Sequence, residues 1–307
     1  MATLLAPVGR THASYGPRHR TSRWSVPAPL LRVLGAVAVL GLLVRQLGTG
    51  PFRAGASALT PAAVGATIVL AAVATACAAW RWRTVAGLLG LVFGQSQAVG
   101  AYYRSQLLNS VLPGGIVGDV DRALRLGRPH ARIGTAARAV VWERVAGQVV
   151  QVVITAAVLL LAPSRLRPTL GPVATVLAAV LLALAVGALG WLAAGRCGVR
   201  ALSEIVLASV LVVAAHGAVF LLAAHLVAPA APTGDVVALA LLVQTAAAVP
   251  LSIGGWGVRE GAAAWLFAAA GLGAGTGVET TTVYGLMALL ALTPGAVLVL
   301  RDVVSRG

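Results

Sequence analysis

The stretch Val111–Arg122, VLPGGIVGDVDR, interrupts a long apolar region, and a second stretch, Val249–Gly261, VPLSIGGWGVREG, interrupts another about 140 residues later. Proline lacks a backbone donor and glycine carries a high conformational cost, so both end helices. In the bilayer core the freed backbone groups meet no water, and such breaks persist only where protein or a wet cavity surrounds them. Paired breaks at matching positions of two halves point to a transport site.

The rest of the chain supplies the bilayer setting. Of its 307 residues, 59% are hydrophobic and 10% are charged, with a mean hydropathy of +0.92. A soluble domain carries about 25% charged residues, so the sequence describes an integral membrane protein. The net charge of +15 comes from 23 basic residues, all of them arginine. These lie mostly at the ends of apolar runs, which suits membrane topology and anionic head groups and leaves no nucleic-acid partner expected. Cys77 lies in an apolar run and Cys197 in a short basic loop, with neither disulfide nor metal spacing. Residues 1–28 are rich in Arg, His, Ser, Thr and Pro and read as a disordered cytoplasmic tail.

A span needs about 20 mostly apolar residues. Six stretches qualify: 30–48, 60–80, 138–162, 169–194, 201–228 and 280–300. Regions 84–118 and 236–272 are apolar but broken. If both return to the side they entered from, 16 arginines are cytoplasmic and only Arg53, Arg165 and Arg167 lie outside, as the positive-inside rule asks. A single span through 84–118 would instead carry six arginines, Arg104 to Arg138, outside. The predicted fold is therefore an all-α polytopic membrane protein of the plasma membrane, with six full spans, two re-entrant helical hairpins and both termini cytoplasmic. One transmembrane domain, 29–303, follows the tail. Its halves, 30–162 and 169–300, have the same element order in opposite orientation. Span starts shift by 139, 141 and 142 residues, and Pro113 to Pro250 by 137, which describes an inverted-topology repeat.

Ionisable residues at membrane depth cost roughly 2.5–3.5 kcal/mol each and need partners or a function. Around the first break stand Arg104, Asn109, Asp119 and Arg122. There Gly114, Gly115 and Gly118 would let the backbone approach a ligand, and freed N–H groups would attract an anion. Asp119 is expected to position Arg122 or Arg104; the plainer alternative is a helix cap beside topology-setting arginines. Glu143–Arg144 form a second place, with Glu143 expected to meet Arg122 or Arg259, and Arg144 to meet Asp119 or Glu260. A purely structural ion pair is the alternative. The third place, Arg259–Glu260 after Gly254, Gly255 and Trp256, is the strongest signal: Arg259 is the expected ligand of a lipid phosphate, and Glu260 would neutralise it when the site is empty. His216 and His225, nine residues apart on one helix, face opposite ways and suit helix packing better than a proton relay or a metal pair. Asp119 and Asp121 resemble part of a DxD metal motif, but Arg122 and Arg125 argue against a cation, and neither metal nor cofactor is expected.

These residues carry a resemblance. Asn109 with Leu112–Arg122 (LPGGIVGDVDR), the Glu143–Arg144 pair and Pro250–Gly261 (PLSIGGWGVREG) make residues 30–303 similar to the flippase-like family named for the membrane region of lysylphosphatidylglycerol synthase. The resemblance implies a polytopic lipid-handling module, which in its best-understood members moves aminoacylated phospholipid between leaflets. Other members are associated with lipid-linked sugar pathways. The bifunctional synthases carry a soluble aminoacyl-transferase domain after the membrane part; this sequence shows none, so lipid synthesis by this chain alone is not expected.

The expected function is movement of an anionic or phosphate-bearing lipid, with membrane lipids as partners and a lipid aminoacyl-transferase or glycosyltransferase as a further partner class. No catalytic constellation is visible, so an enzyme is not expected. The alternatives are a membrane subunit of an enzyme acting on polyprenyl-linked sugars or aminoacylated lipids, with Asp119 or Glu260 as base, and a non-catalytic scaffold for such an enzyme.

Overall fold

The structure is a computed structural model that describes residues 57–112, 115–129, 131–161, 198–247 and 258–304, together with residue 179. The predicted tail, the spans 30–48 and 169–194, Cys197, Pro113, Gly114 and the break 248–257, with Pro250, Gly254, Gly255 and Trp256, lie outside the described residues.

The described chain is helical. Helix α1 is Pro61–Leu88, α2 Gln95–Val111, α3 Val117–Gly127, α4 Ile133–Leu161 and α5 Val199–Val227. Helix α6 is Thr233–Ala247, α7 Val258–Ala269, α8 Ala274–Ala291 and α9 Thr293–Val304. Three of these, α1, α4 and α5, are long and apolar enough to cross a membrane, and a fourth crossing is available if α8 and α9 form one broken span. Helix α1 starts cleanly, with Pro61 in the first turn and the Thr60 hydroxyl accepting from the Ala63 N–H, so orphan donors at its entry are partly satisfied.

Two predicted boundaries change. The span expected over 60–80 continues to Leu88, which draws Arg81 inside the helix and buries it. The span expected over 280–300 is instead α8 and α9, bent by 42°. The break has a local cause: Pro294 has no N–H to offer the Leu290 carbonyl, and the Thr293 hydroxyl donates to that carbonyl in its place.

The first Pro/Gly stretch folds as a helical hairpin. Helices α2 and α3 pack on each other and return to one end. At that end Arg132 donates to the Gly90 carbonyl beyond α1, Thr84 donates to Glu204 near the start of α5, and Arg125 pairs with Asp302 at the end of α9. Gly115, at φ +59°, makes the turn. Gly118 lets the legs close: a Cβ there would lie 2.0 Å from the Ser105 carbonyl oxygen. The expectation that Gly118 serves ligand approach is corrected, since α2 fills that space. Its N–H is also engaged, donating to Asn109 Oδ1 at 2.7 Å. Helices α6 and α7 likewise pack together across the second break.

The pairing of elements is regular. Helix α1 packs on α5; α3 on α4, as α7 on α8; α1 on α2, as α5 on α6; and α1 on α4, as α5 on α8. Across the molecule α4 meets α5 and α6, while α8 meets α1 and α9 meets α2. One apolar core lies among α5–α8 around Phe220, Leu239, Phe267 and Met287, and a smaller one around Ala79, Trp82, Ala98 and Val140. Outward apolar side chains such as Val69, Val141 and Leu211 present a surface suited to lipid.

Close backbone approach at small residues is how helices associate where water cannot drive them together. A Cβ on Gly277 would lie 2.4 Å from the Ala263 carbonyl oxygen, where α8 crosses α7. Gly277→Ala is expected to lower the thermal stability of the detergent-purified protein by about 1–3 kcal/mol. Gly217→Ala, which adds a methyl with nothing within 4 Å, leaves it unchanged; equal melting curves for both variants would remove the close crossing from the account.

Candidate functional site

Arg81, Arg122, Asp119 and Arg144 gather with Glu143, whose side chain is fully buried on α4. Its Oε1 accepts from Arg81 at 2.9 and 2.5 Å and from the Tyr102 hydroxyl at 3.0 Å, and its Oε2 accepts from Arg122 at 3.0 Å. Arg81 also donates to Ser209 on α5 at 3.0 Å. Its guanidinium lies against Gly147, where a Cβ would come within 2.8 Å. Arg122 is held between two rings, 4.6 Å from the Trp82 centroid and 4.4 Å from that of Tyr102, which adds cation–π attraction in a desolvated setting. Arg122 also pairs with Asp119 at 3.2 Å, and Asp119 accepts from Ser105 and pairs with Arg144 at 2.5 Å. Three guanidinium groups thus surround two carboxylates, leaving one positive charge in excess within this described cluster.

That excess faces a cavity. A space of about 360 Å³ is bounded by α1, α2 and α4 on one side and by α5–α8 on the other. Arg81, Arg144 and Arg259 line it, with the glutamines Gln106, Gln148, Gln151 and Gln244. An adjoining space of about 230 Å³ shares Gln106, Arg144, His216 and Tyr284 with it and reaches Asn109 and Thr75. Among the described lining residues of both spaces there is no carboxylate. Arg144 is half-exposed into this space although its neighbour Glu143 is buried, as adjacent residues on a helix must diverge. The Gln244 amide nitrogen is buried without a hydrogen-bond partner. Such a lining offers cationic forks and neutral amides to an anion with further polar atoms.

On the far wall, Arg259 projects from the start of α7. Its Nε and Nη2 donate to Glu260 Oε1 at 2.9 and 2.7 Å, and its guanidinium lies 5.4 Å from the Tyr284 ring centroid. The Tyr284 hydroxyl and His216 Nδ1 are 3.2 Å apart.

The structure therefore brings together Glu143, Arg122, Asp119 and Arg144, and places Arg144, Arg259 and Asn109 on the cavity. Of the two partners expected for Glu143, Arg122 is the one present; of the two for Arg144, Asp119 is. Arg104 does not meet Asp119: it pairs with Asp302 on α9 at 2.8 Å and donates to the Leu298 carbonyl, because it lies on the α2 face turned to α9. Neither Arg104 nor Arg122 appears among the cavity-lining residues. His216 lines the cavity, whereas the sequence favours a packing role for it. The sequence reading missed Arg81, Tyr102 and the glutamines. Arg81 ends an apolar run and reads as a topology residue; the adjacent Trp82 and the polar run Tyr102–Gln106 were the available signals.

The fold and the cavity define a polytopic helical membrane protein with a cation-lined internal space. Residues 30–205 match the family described as the lysylphosphatidylglycerol synthase TM region, and the chain belongs to that family. The match takes in α1–α4, the first Pro/Gly break and the start of α5, and it ties the chain to membrane proteins related to lipid handling. No curated protein matches the chain.

Removing one partner of a buried ion pair leaves an uncompensated charge and costs about 3–5 kcal/mol. Glu143→Gln is therefore expected to lower the melting temperature in detergent strongly, while Glu204→Gln, at the protein edge, has little effect. Similar melting temperatures for the two would show that Glu143 does not hold the structure together.

Proposed function

We propose that this protein moves a phosphate-bearing anionic lipid between the two leaflets, with the head group passing through the arginine-lined cavity and the acyl or prenyl chains remaining in the bilayer. The observation that carries this is the cavity lining: Arg81, Arg144 and Arg259, four glutamines and no carboxylate among the described residues. A neutral pocket would leave a phosphate unpaired in a low-dielectric setting, at a cost of several kcal/mol. Here the surplus guanidinium charge of the Glu143 cluster is matched only when an anion enters.

The element pairing supports an inverted-topology repeat. Exchanging α1 with α5, α2 with α6, α3 with α7, and α4 with α8 and α9 leaves the set of packed pairs unchanged. The cavity lies between the two sets, where rocking of one against the other would expose it to alternate sides. In this reading the end that gathers Arg83, Arg128, Arg132 and Arg200 faces the cytoplasm of the plasma membrane, and the protein transports without chemistry on the lipid. Asp119 and Glu260, the two carboxylates that could serve as a base, are both ion-paired with arginine, which disfavours that use. A lipid aminoacyl-transferase or glycosyltransferase that makes or consumes the substrate is the proposed partner class.

The test is reconstitution in liposomes containing fluorescent phosphatidylglycerol, with bleaching of the outer leaflet by dithionite. Arg144→Ala and Arg259→Ala are each expected to slow leaflet exchange by about tenfold or more, the loss of one charge-assisted contact, while Arg200→Ala, on an exposed surface, exchanges at the wild-type rate. Wild-type exchange in both cavity variants contradicts the proposal, as does an absence of exchange with the wild type.

A further inference from the structure

The first half of the chain already holds an anion on a hairpin arginine. Arg122 stands nine residues after Pro113, and Arg259 nine residues after Pro250. Arg122 reaches from α3 to α4, where it meets the Glu143 carboxylate. Arg259 reaches from α7 to α8, where it lies over Tyr284. Positions 143 and 284 differ by 141, within the range of shifts, 137 to 142, that relates the other landmarks of the two halves. The arginines are thus matched in sequence and in the helix each faces, but the groups that face them differ. The first half supplies a carboxylate; the second supplies a neutral phenol, with Gly285 next to it, and opens onto the cavity.

We propose that the substrate phosphate binds beside Arg259, Tyr284 and His216, taking for the second hairpin arginine the role that the Glu143 carboxylate takes for the first, and that Glu260 is a resident counter-ion which the phosphate displaces from Arg259. The Glu143 site shows what such an anion takes up: guanidinium groups from Arg81 and Arg122 and a phenolic hydroxyl from Tyr102. The second half offers the same chemistry, a guanidinium beside a phenol whose hydroxyl is held by His216 at 3.2 Å. A guanidinium grips phosphate best through two parallel donors. One such edge of Arg259, Nε and Nη2, is taken by Glu260, so the carboxylate and the phosphate compete for it. Glu260 would thereby keep Arg259 neutralised between transport cycles and oppose binding until a phosphate arrives. This rests on the transport reading for the source of the phosphate; the binding site itself does not require that lipid be moved.

The test is calorimetric titration of the purified full-length protein in detergent with inorganic phosphate and, separately, with dihexanoyl phosphatidylglycerol. Removing the competing charge in Glu260→Gln is expected to tighten binding about threefold or more, and removing the fork in Arg259→Gln to weaken it about tenfold. Tyr284→Phe keeps the ring and is expected to weaken binding by a smaller factor. This pattern with both probes shows that the site reads phosphate itself; with the lipid alone it shows that the phosphate is read as part of a lipid head group. Either supports the proposal. Binding to Glu260→Gln at or below wild-type strength, wild-type binding to Arg259→Gln, or no binding of either probe by the wild type overturns it. Gain in Glu260→Gln cannot arise from misfolding. The expected pattern without leaflet exchange defeats the transport reading alone, and leaflet exchange without the pattern defeats this site alone.

Discussion

A carboxylate with no access to water has to be matched where it stands, and Glu143 is matched by Arg81 and Arg122 from two other helices. The arrangement of the first half follows from that constraint. Helix α1 continues past its apolar run so that Arg81 reaches the same depth, and Gly147 gives the guanidinium room to cross α4. The hairpin turns at Gly115 and closes at Gly118, which brings Arg122 to the other carboxylate oxygen. Desolvation makes each charge expensive alone, and the geometry makes the group tolerable together. The cluster ties α1, α3, α4 and α5 to one point, through Arg81, Arg122, Glu143 and Ser209.

Satisfying that carboxylate leaves a remainder that acts elsewhere. Asp119 neutralises part of the arginine charge, yet Arg144 still turns its exposed side to the cavity. The far wall contributes Arg259, and no acid among the described residues intervenes in the lining. Positive charge at membrane depth is matched by carboxylates on both walls, Glu143 and Asp119 on one and Glu260 on the other. The chain's family, named for the membrane region of lysylphosphatidylglycerol synthase, relates it to lipid handling.

Much of this was legible in the sequence because lipid makes polar residues conspicuous. The first Pro/Gly stretch declared a helical hairpin, and the Glu143–Arg144 and Arg259–Glu260 pairs stood out against apolar surroundings. The choice of partners was not legible. Period and spacing place Arg122 and Arg104 near Asp119 alike, but which helix face turns toward α4 and which toward α9 depends on how the hairpin seats, so Arg104 went to Asp302. Arg81 was hidden by the positive-inside rule itself, which explains any arginine at the end of an apolar run. The break at Leu292 escaped notice because Pro294 lies in a run that is apolar throughout, and hydropathy does not register the carbonyl that proline strands. The second Pro/Gly stretch, 248–257, lies outside the described residues, so its expected glycine and tryptophan contributions rest on the sequence.

The central claim is that one cavity between the two sets of helices is reached from both sides of the membrane. The direct measurement is a cysteine at Gln148, exposed in the cavity, in a protein whose Cys77 and Cys197 are serine. It is exposed to a membrane-impermeant thiol reagent applied in turn to either side of oriented vesicles. The account predicts modification from both sides, slowed from both by an anionic short-chain phospholipid. Modification from one side only, unaffected by the lipid, would contradict it.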